Sequence, residues 1–428
     1  MAAVGVGGYI FWAMSGGLVR EGNWIGVDFH VYYQAAQVVR RGQDIYSAGI
    51  APPYVYPPLL AMLVIPISLL PVDAATILWK LLQHVCLVVA GGLLVSMMPP
   101  RIRPLAAGML ALGLLTIPVQ DEIQVGESNS LVLLLVVTAV WLVSRIGDIA
   151  GGARLDDWRA PLALYAGGML ALAASIKVLP VLLIAYFWWR GPRNVAGVAT
   201  AGFLLLQALL FLLTPSTADY WFTQFPGLFG QAFPYLDNQS LNSVVARATL
   251  PGTDPTTPNM QVLNAESLRP TLTWAANLLA LLASAVVLWT AARRPAPTTR
   301  QERTLRLLLE VGLVLLTIHL ISGSTWLHHL IDLSVPLLAL LGFWILDFGF
   351  WNGSSIQNPE SKIENLLPGA GLGLIIAVLL HRPADWLNAE NLVAPGHPLL
   401  ALLASSIFAL AVIALWGWVA ARLLRRPG

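Results

Sequence analysis

The stretch Val27-Asp28-Phe29-His30-Val31-Tyr32-Tyr33 sets one carboxylate directly before a run of helical spacing. An Asp at that position serves as a helix N-cap. A carboxylate held in fixed orientation at the mouth of a membrane segment also meets the requirement of a general base. Spacing alone leaves both readings of Asp28 open. A second polar constellation covers residues 120–130, with Asp121, Glu122, Glu127 and Asn129. Its carboxylates and amides suit sugar hydroxyls or a divalent metal, or a hydrated turn in which Ser128 or Asn129 caps the next helix. Lys177 stands third, three residues before Pro180. A lysine at such a break either carries a cation to a phosphate at membrane depth or snorkels to the interface.

The fourth constellation is Asp237-Asn238-Gln239-Ser240-Leu241-Asn242, followed by Arg247; it suits hydroxyl recognition and equally an ordinary turn. The fifth runs from Trp326 through His328 and His329 to Asp332. Neighbouring residues on an α-helix point about 100° apart, so at most one of the two histidines faces a given site. Asp332 is spaced to orient either imidazole. His84 and His319 lie inside apolar runs and read as packed or hydrogen-bonded. No metal-ligand spacing stands out, so no metal ligands are assigned and no cofactor is expected, with a divalent ion left open.

The elements that must position these groups are membrane helices. Of 428 residues, 57% are hydrophobic and only 11% charged, against roughly a quarter charged in soluble domains. The net charge of +2 gives no reason to expect a nucleic-acid partner, and the single Cys86 excludes an intramolecular disulfide. The first apolar segment lacks a basic leader and a small-residue cleavage site and is read as a retained span. Spans of about 20 apolar residues are expected at 1–19, 73–98, 104–119, 129–147, 160–176, 178–189, 194–214, 270–291, 305–323, 331–350, 367–380 and 398–421. Within 20–57 an amphipathic interfacial helix is expected at 29–41, stopped by Gly42. Residues 57–71, broken by four prolines, are read as re-entrant or juxtamembrane.

Under this reading sixteen of the 24 Lys and Arg residues fall in short loops on one side, which the positive-inside rule makes cytoplasmic. The expectation is an all-α polytopic membrane protein, a single domain over 1–428 with about twelve spans and both termini cytoplasmic. Outer loops 20–72, 215–269 and 381–397 then form the extracytoplasmic face. All five polar constellations fall on that face.

Read in order, these residues resemble glycosyltransferase family 87, polytopic enzymes of the GT-C type. The likeness rests on Asp28-Phe29-His30-Val31-Tyr32-Tyr33 with Ala35-Ala36, Gly42, Ile45-Tyr46 and Tyr56-Pro57-Pro58-Leu59. It continues through the Gly126 to Asn129 turn, Ile176-Lys177-Val178-Leu179-Pro180, Asn238-Gln239-Ser240-Leu241-Asn242, and Trp326 with His328-His329. The resemblance implies a GT-C fold in the cytoplasmic membrane, a polyprenyl-phosphate sugar donor, and a lipid-linked or cell-wall glycan acceptor among the membrane lipids. It also implies mannose or arabinofuranose transfer on the outer side, with Asp28 as the base. Transfer needs cations for the departing phosphate, expected from Lys177, His328, His329 and Arg247. Sugar contacts are expected from His30, Tyr33, Tyr56, Glu127, Asn129, Asn238, Gln239, Asn242 and Trp326. The rival reading is a transporter or flippase, for which broken helices such as 176–180 are typical. No second, related half appears, and a non-catalytic scaffold leaves the outward polar cluster unexplained.

Overall fold

The structure, a computed structural model, describes residues 1–14, 26–146, 160–228, 233–249, 270–348, 370–381 and 398–425. Residues 20–25, 229–232, 250–269 and 382–397 of the expected outer loops lie outside the described residues. So do Arg154, Arg159, Lys362 and Arg426, four of the cations used to orient the chain. In chain order the helices are α1 (Ala2–Trp12), α2 (Val27–Arg40), α3 (Pro58–Val64), α4 (Val72–Met97), α5 (Arg103–Gly113), α6 (Ile117–Val125), α7 (Asn129–Ile146) and α8 (Ala160–Ile176). They continue with α9 (Val181–Arg190), α10 (Arg193–Leu213), α11 (Ser216–Asp219), α12 (Phe225–Leu228), α13 (Leu241–Thr249), α14 (Pro270–Ala292), α15 (Arg300–Ile321) and α16 (Ser334–Phe348). Ala370–Leu379, Pro398–Ser405 and Ile407–Leu424 are helical as well. Among the described residues there is no strand, only an isolated bridge between Asn238 and Trp326.

Among the described residues seven helices are long and apolar enough to cross a membrane, or eight if the 56° bent pair Pro100–Gly113 and Ile117–Val125 counts as one span. Four more apolar helices, Ala2–Trp12, Pro161–Ile176, Val181–Arg190 and Ala370–Leu379, are shorter. The protein is a multi-pass, all-helical membrane protein. α3 has seven residues and rises about 10 Å, too little to cross. Pro58 at its first turn starts it.

The chain divides into two compact units. One, called here the Asp28 unit, comprises Tyr9–Leu93 and Gln120–Phe229; the other, the histidine unit, comprises Met1–Gly8, Leu94–Val119 and Gly230–Gly428.

In the Asp28 unit, α2 buries Phe29, Tyr32, Ala35 and Ala36 along one helical stripe. Phe29 stacks on Trp79 of α4 at 5.3 Å, and Tyr32 meets the same indole edge-on at 6.0 Å. The helix does not start on an Asp28 cap, one of the two readings its spacing allowed. Its N-cap is Gly26 in the left-handed region at φ 66, and the Gly26 N–H donates to Gln124 O at 2.7 Å. Asp28 instead sits in the first turn, where its charge favours the helix N-terminus. The other end stops as its sequence suggests. Gly42, at φ +70, donates to Val39 O, and Gln43 donates to Val38 O, a Schellman closure.

The polar run after residue 120 is helical through Val125, so the turn expected there begins only at Gly126. This turn is pinned from α4, whose Trp79 and Gln83 lie one helical turn apart. Trp79 Nε1 donates to Gly126 O at 2.8 Å, and Gln83 Nε2 donates to the carbonyls of Glu122 and Glu127. Gly126 has φ +75, and an added Cβ would lie 2.8 Å from Phe29 Cβ. Gly126→Ala therefore combines backbone strain with overlap and is expected to cost about 2–4 kcal/mol. Thermal denaturation in lipid checks this; an unchanged midpoint would mean the turn does not demand glycine.

In the histidine unit α15 is the central helix, with nearly every residue from Leu308 to Leu320 buried. Its entry is a complete capping box between Thr299 and Glu302. Thr317 of α15 bonds Ser284 of α14 at 2.6 Å, and Trp416 of Ile407–Leu424 donates to Ser284 at 3.0 Å. These hydroxyl links join three apolar helices where lipid offers no competing partner.

Candidate active site

The Asp28 unit assembles its polar side chains around the Gly126 turn. Glu127 is 1% exposed, yet its carboxylate gathers five donors. Oε1 accepts from Tyr32 Oη at 2.5 Å, Ser128 N at 2.7 Å and Ser128 Oγ at 2.8 Å, and pairs with Lys177 Nζ at 3.1 Å. Oε2 accepts from Tyr56 Oη at 2.8 Å. A carboxylate buried without such partners would be expelled or neutralised. Here α2, the segment before α3, and the end of α8 each supply one group.

Lys177 continues the last turn of α8 through its N–H to Ala173 O. The turn after it ends at Pro180, and α9 begins at Val181. The ammonium donates to Asn129 Oδ1 at 2.5 Å and lies 4.9 Å from the Tyr56 ring centre. Asn129 is itself oriented by Glu122, a fully buried carboxylate. Glu122 Oε2 accepts from Asn129 Nδ2 at 3.0 Å, and Oε1 accepts from Ser130 N at 2.7 Å. Glu122 thus meets the N-terminus of α7, the place expected of Ser128 or Asn129.

Asp28 is half-buried, and its charge reaches both phenols of this cluster. Burial pushes the Tyr32 and Tyr56 hydroxyls well above the usual phenol range, with the Glu127 and Asp28 charges adding to the rise. Both tyrosines therefore act as neutral donors at any working pH. Glu127 is thus committed to five donors within the protein.

His30 bonds Thr76 Oγ1 at 3.3 Å near Asp73 and Lys80 on α4, and burial lowers its pKa. Tyr33 donates to Leu70 O at 2.8 Å. It is Tyr32 that donates to the Glu127 carboxylate. Tyr32 was absent from the expected site, although it lies four residues after Asp28, the helical spacing that puts both on one face.

The histidine unit holds the amide and histidine motifs. Asn238 is fully buried, and its Oδ1 accepts from Thr325 N at 2.9 Å and Ser240 N at 3.2 Å. Gln239, 1% exposed, donates to Ser405 O and Leu236 O and accepts from Ala409 N at 2.9 Å. It closes the break between Pro398–Ser405 and Ile407–Leu424. Both amides pin backbone segments together, Gln239 through its oxygen and nitrogen and Asn238 through Oδ1 alone, its buried Nδ2 making no hydrogen bond among the described residues. Asn242 accepts from Asn277 Nδ2 at 3.0 Å. Arg247 donates to Pro234, Tyr235 and Asn238 carbonyls and to Ser406 Oγ. Burial pushes its pKa down only to about 9, so it stays a cation.

Trp326 packs against Phe233 and Tyr235. Residues Leu327–Leu333 form a 3₁₀-helix rather than an α-helix, and the two imidazoles meet edge-on at 4.8 Å. Asp332 bonds His319 Nε2 at 2.6 Å; this is the pairing the structure records, in place of one with His328 or His329. Thr325 Oγ1 donates to His319 O at 2.6 Å and ties the same corner.

A multi-pass helical membrane protein with a half-buried acidic side chain beside a buried carboxylate–lysine cluster is an arrangement suited to group transfer at a membrane surface. Residues 54–323 match glycosyltransferase family 87, and the chain belongs to that family. Asp28 lies N-terminal to the matched residues. The chain is 24% identical over 410 residues to a polyprenol-phosphate-mannose-dependent α-(1-2)-phosphatidylinositol pentamannoside mannosyltransferase of Mycobacterium tuberculosis, covering 92% of this chain and 81% of that protein. A second Mycobacterium tuberculosis protein, a polyprenol-phosphate-mannose-dependent α-(1-2)-phosphatidylinositol mannoside mannosyltransferase, is 24% identical over 50% of each chain. A pentamannoside mannosyltransferase of Mycolicibacterium smegmatis is 26% identical over 47% of each. No solved structure matches the chain significantly.

Proposed function

We propose that the protein transfers mannose from a polyprenyl-phosphate donor to a hydroxyl of a lipid-linked mannoside on the extracytoplasmic side of the cytoplasmic membrane. The mannose donor is favoured over the arabinofuranose alternative by the relatives' donor, and the acceptor class follows their phosphatidylinositol mannosides. Twelve spans with cytoplasmic termini remain the topology of this proposal; the seven long, one bent and four short apolar helices supply its segments.

Asp28 accepts the acceptor O–H proton as that oxygen attacks the anomeric carbon. The bond from that carbon to the phosphate oxygen breaks in the same displacement, which inverts the configuration. The electron pair leaves with polyprenyl phosphate, whose charge Lys177 meets. The step requires no redox cofactor. The observation that carries this reading is Asp28, half-buried in the first turn of α2, the helix whose Tyr32 binds Glu127 and hence Lys177.

The test offers purified protein in lipid vesicles polyprenyl-phosphate mannose and polyprenyl-phosphate arabinofuranose, each labelled in the sugar, with a phosphatidylinositol mannoside. Label from mannose is expected to move to the acceptor. Transfer from arabinofuranose alone would reverse the donor assignment. Donor crossing the bilayer with no sugar released would favour the transporter reading.

A further inference from the structure

We infer that Glu127 is a positioning residue whose task is to hold the Lys177 ammonium with one N–H uncommitted for a phosphate oxygen of the donor; this rests on the reading above. The ammonium has three N–H groups. Two have protein partners, Asn129 Oδ1 and Glu127 Oε1. The lysine side chain is 15% exposed while its carboxylate partner is 1% exposed. The pair is thus sealed on the Glu127 side and open on the lysine side.

The support behind each partner exceeds what charge neutralisation alone needs. Tyr32 has no exposed surface and cannot touch a substrate; its hydroxyl goes to Glu127. Tyr56 grips the other carboxylate oxygen, and its ring lies beside the ammonium. Ser128 adds both its N–H and its hydroxyl. On the far side Glu122 takes the Asn129 amide N–H, which turns the amide oxygen toward Lys177. Two buried carboxylates therefore reach one lysine by separate routes, one directly and one through an amide. Such orientation from behind is what makes a cation useful to a developing charge, because no reorganisation is left for the moment of reaction. Glu127 and Asn129 then act through Lys177, a different role from the direct sugar contact expected of them in sequence.

The experiment is a double-mutant cycle of Glu127→Gln and Lys177→Met, read by binding of polyprenyl phosphate, with neutral polyprenol as control. Lys177→Met is expected to weaken polyprenyl phosphate binding about 10–100-fold and leave polyprenol binding unchanged. Glu127→Gln alone is expected to weaken phosphate binding about tenfold. The double variant should bind like Lys177→Met alone, because a residue acting through another has nothing left to lose. Its thermal midpoint should stay near that of the native protein, since both members of the ion pair are gone. Additive losses, or phosphate binding indifferent to Lys177→Met, would overturn the inference. Failure of the broader reading is separate: the native protein would bind polyprenyl phosphate by this cycle yet move no sugar from the labelled donor. Where transfer is observed, the donor KM should follow the same non-additive pattern, and the acceptor KM should not move.

Discussion

Asp28→Asn is expected to lower kcat for sugar transfer about 10²–10⁴-fold while the protein folds and inserts normally. Helix α2 is stopped at its N-terminus by Gly26 in the left-handed region and its N–H to Gln124 O, not by the Asp28 side chain. Asn keeps the size and polarity of Asp and loses only the negative charge and the capacity to take a proton. The cost to stability is the favourable interaction with the helix N-terminus, about 0.3–1 kcal/mol. A large drop in turnover with a small shift in thermal midpoint therefore separates base from structural residue. The Tyr32 and Tyr56 hydroxyls give a second readout, since both feel the Asp28 charge. Removing that charge relaxes part of the rise in their pKa without bringing either phenol into the working range, because burial is the larger cause.

Gln239→Leu carries the largest expected effect on stability. Its amide donates to Ser405 O and Leu236 O and accepts from Ala409 N, all within the histidine unit. Leucine fills the space and leaves those backbone groups unpaired. At about 1–3 kcal/mol for each of the three buried orphans, the total is about 3–9 kcal/mol, enough to unfold a marginal protein. Thermal denaturation and yield of monodisperse protein measure it. The fraction that folds should bind polyprenyl phosphate as the native protein does. Normal stability with weakened substrate binding would instead return Gln239 to the sugar-contact role its amide-rich setting suggests.

Local features were legible in the sequence wherever the cause was local. Gly42 closes α2 because only a residue at ease with positive φ ends a helix that way. Residues 57–71 yield only a seven-residue helix and a short 3₁₀ turn because prolines interrupt every longer run. The break after Lys177 follows from Pro180. The expected helix at 29–41 and the observed Val27–Arg40 differ by two residues at the N-terminal end, where Gly26 and not Asp28 supplies the cap, and by one at the other end.

The misreadings have long-range causes. Residues 120–125 look like a hydrated turn because they are polar, but Gln83, Ser130 and Asn129 satisfy the two polar ends of Glu122. Gln83 comes from α4, 39 residues away, while Asn129 and Ser130 lie only seven and eight residues on but are brought back to Glu122 by the Gly126 turn, which polarity alone does not reveal. Asp332 matches the histidines next to it in sequence, whereas its recorded partner His319 comes from α15, the preceding helix. A 3₁₀ segment, with its tighter turn, also changes which of residues 327–333 share a face. Tyr32, four residues after Asp28, belongs to the same helical face, a signal present in the sequence. The ordered series of motifs, by contrast, carried the family correctly, because spacing along the chain survives where side-chain partners cannot be seen.

In the proposed mechanism Asp28 takes the proton from the acceptor in transfer from a polyprenyl-phosphate sugar. A single-turnover measurement addresses it most directly. Native protein and Asp28→Asn are loaded to saturation with labelled polyprenyl-phosphate mannose in vesicles and mixed with phosphatidylinositol mannoside. The account predicts equal donor loading, rapid transfer with inverted configuration by the native protein, and transfer slowed at least about a hundredfold by the variant. Transfer at the native rate by a fully loaded Asp28→Asn protein would contradict it.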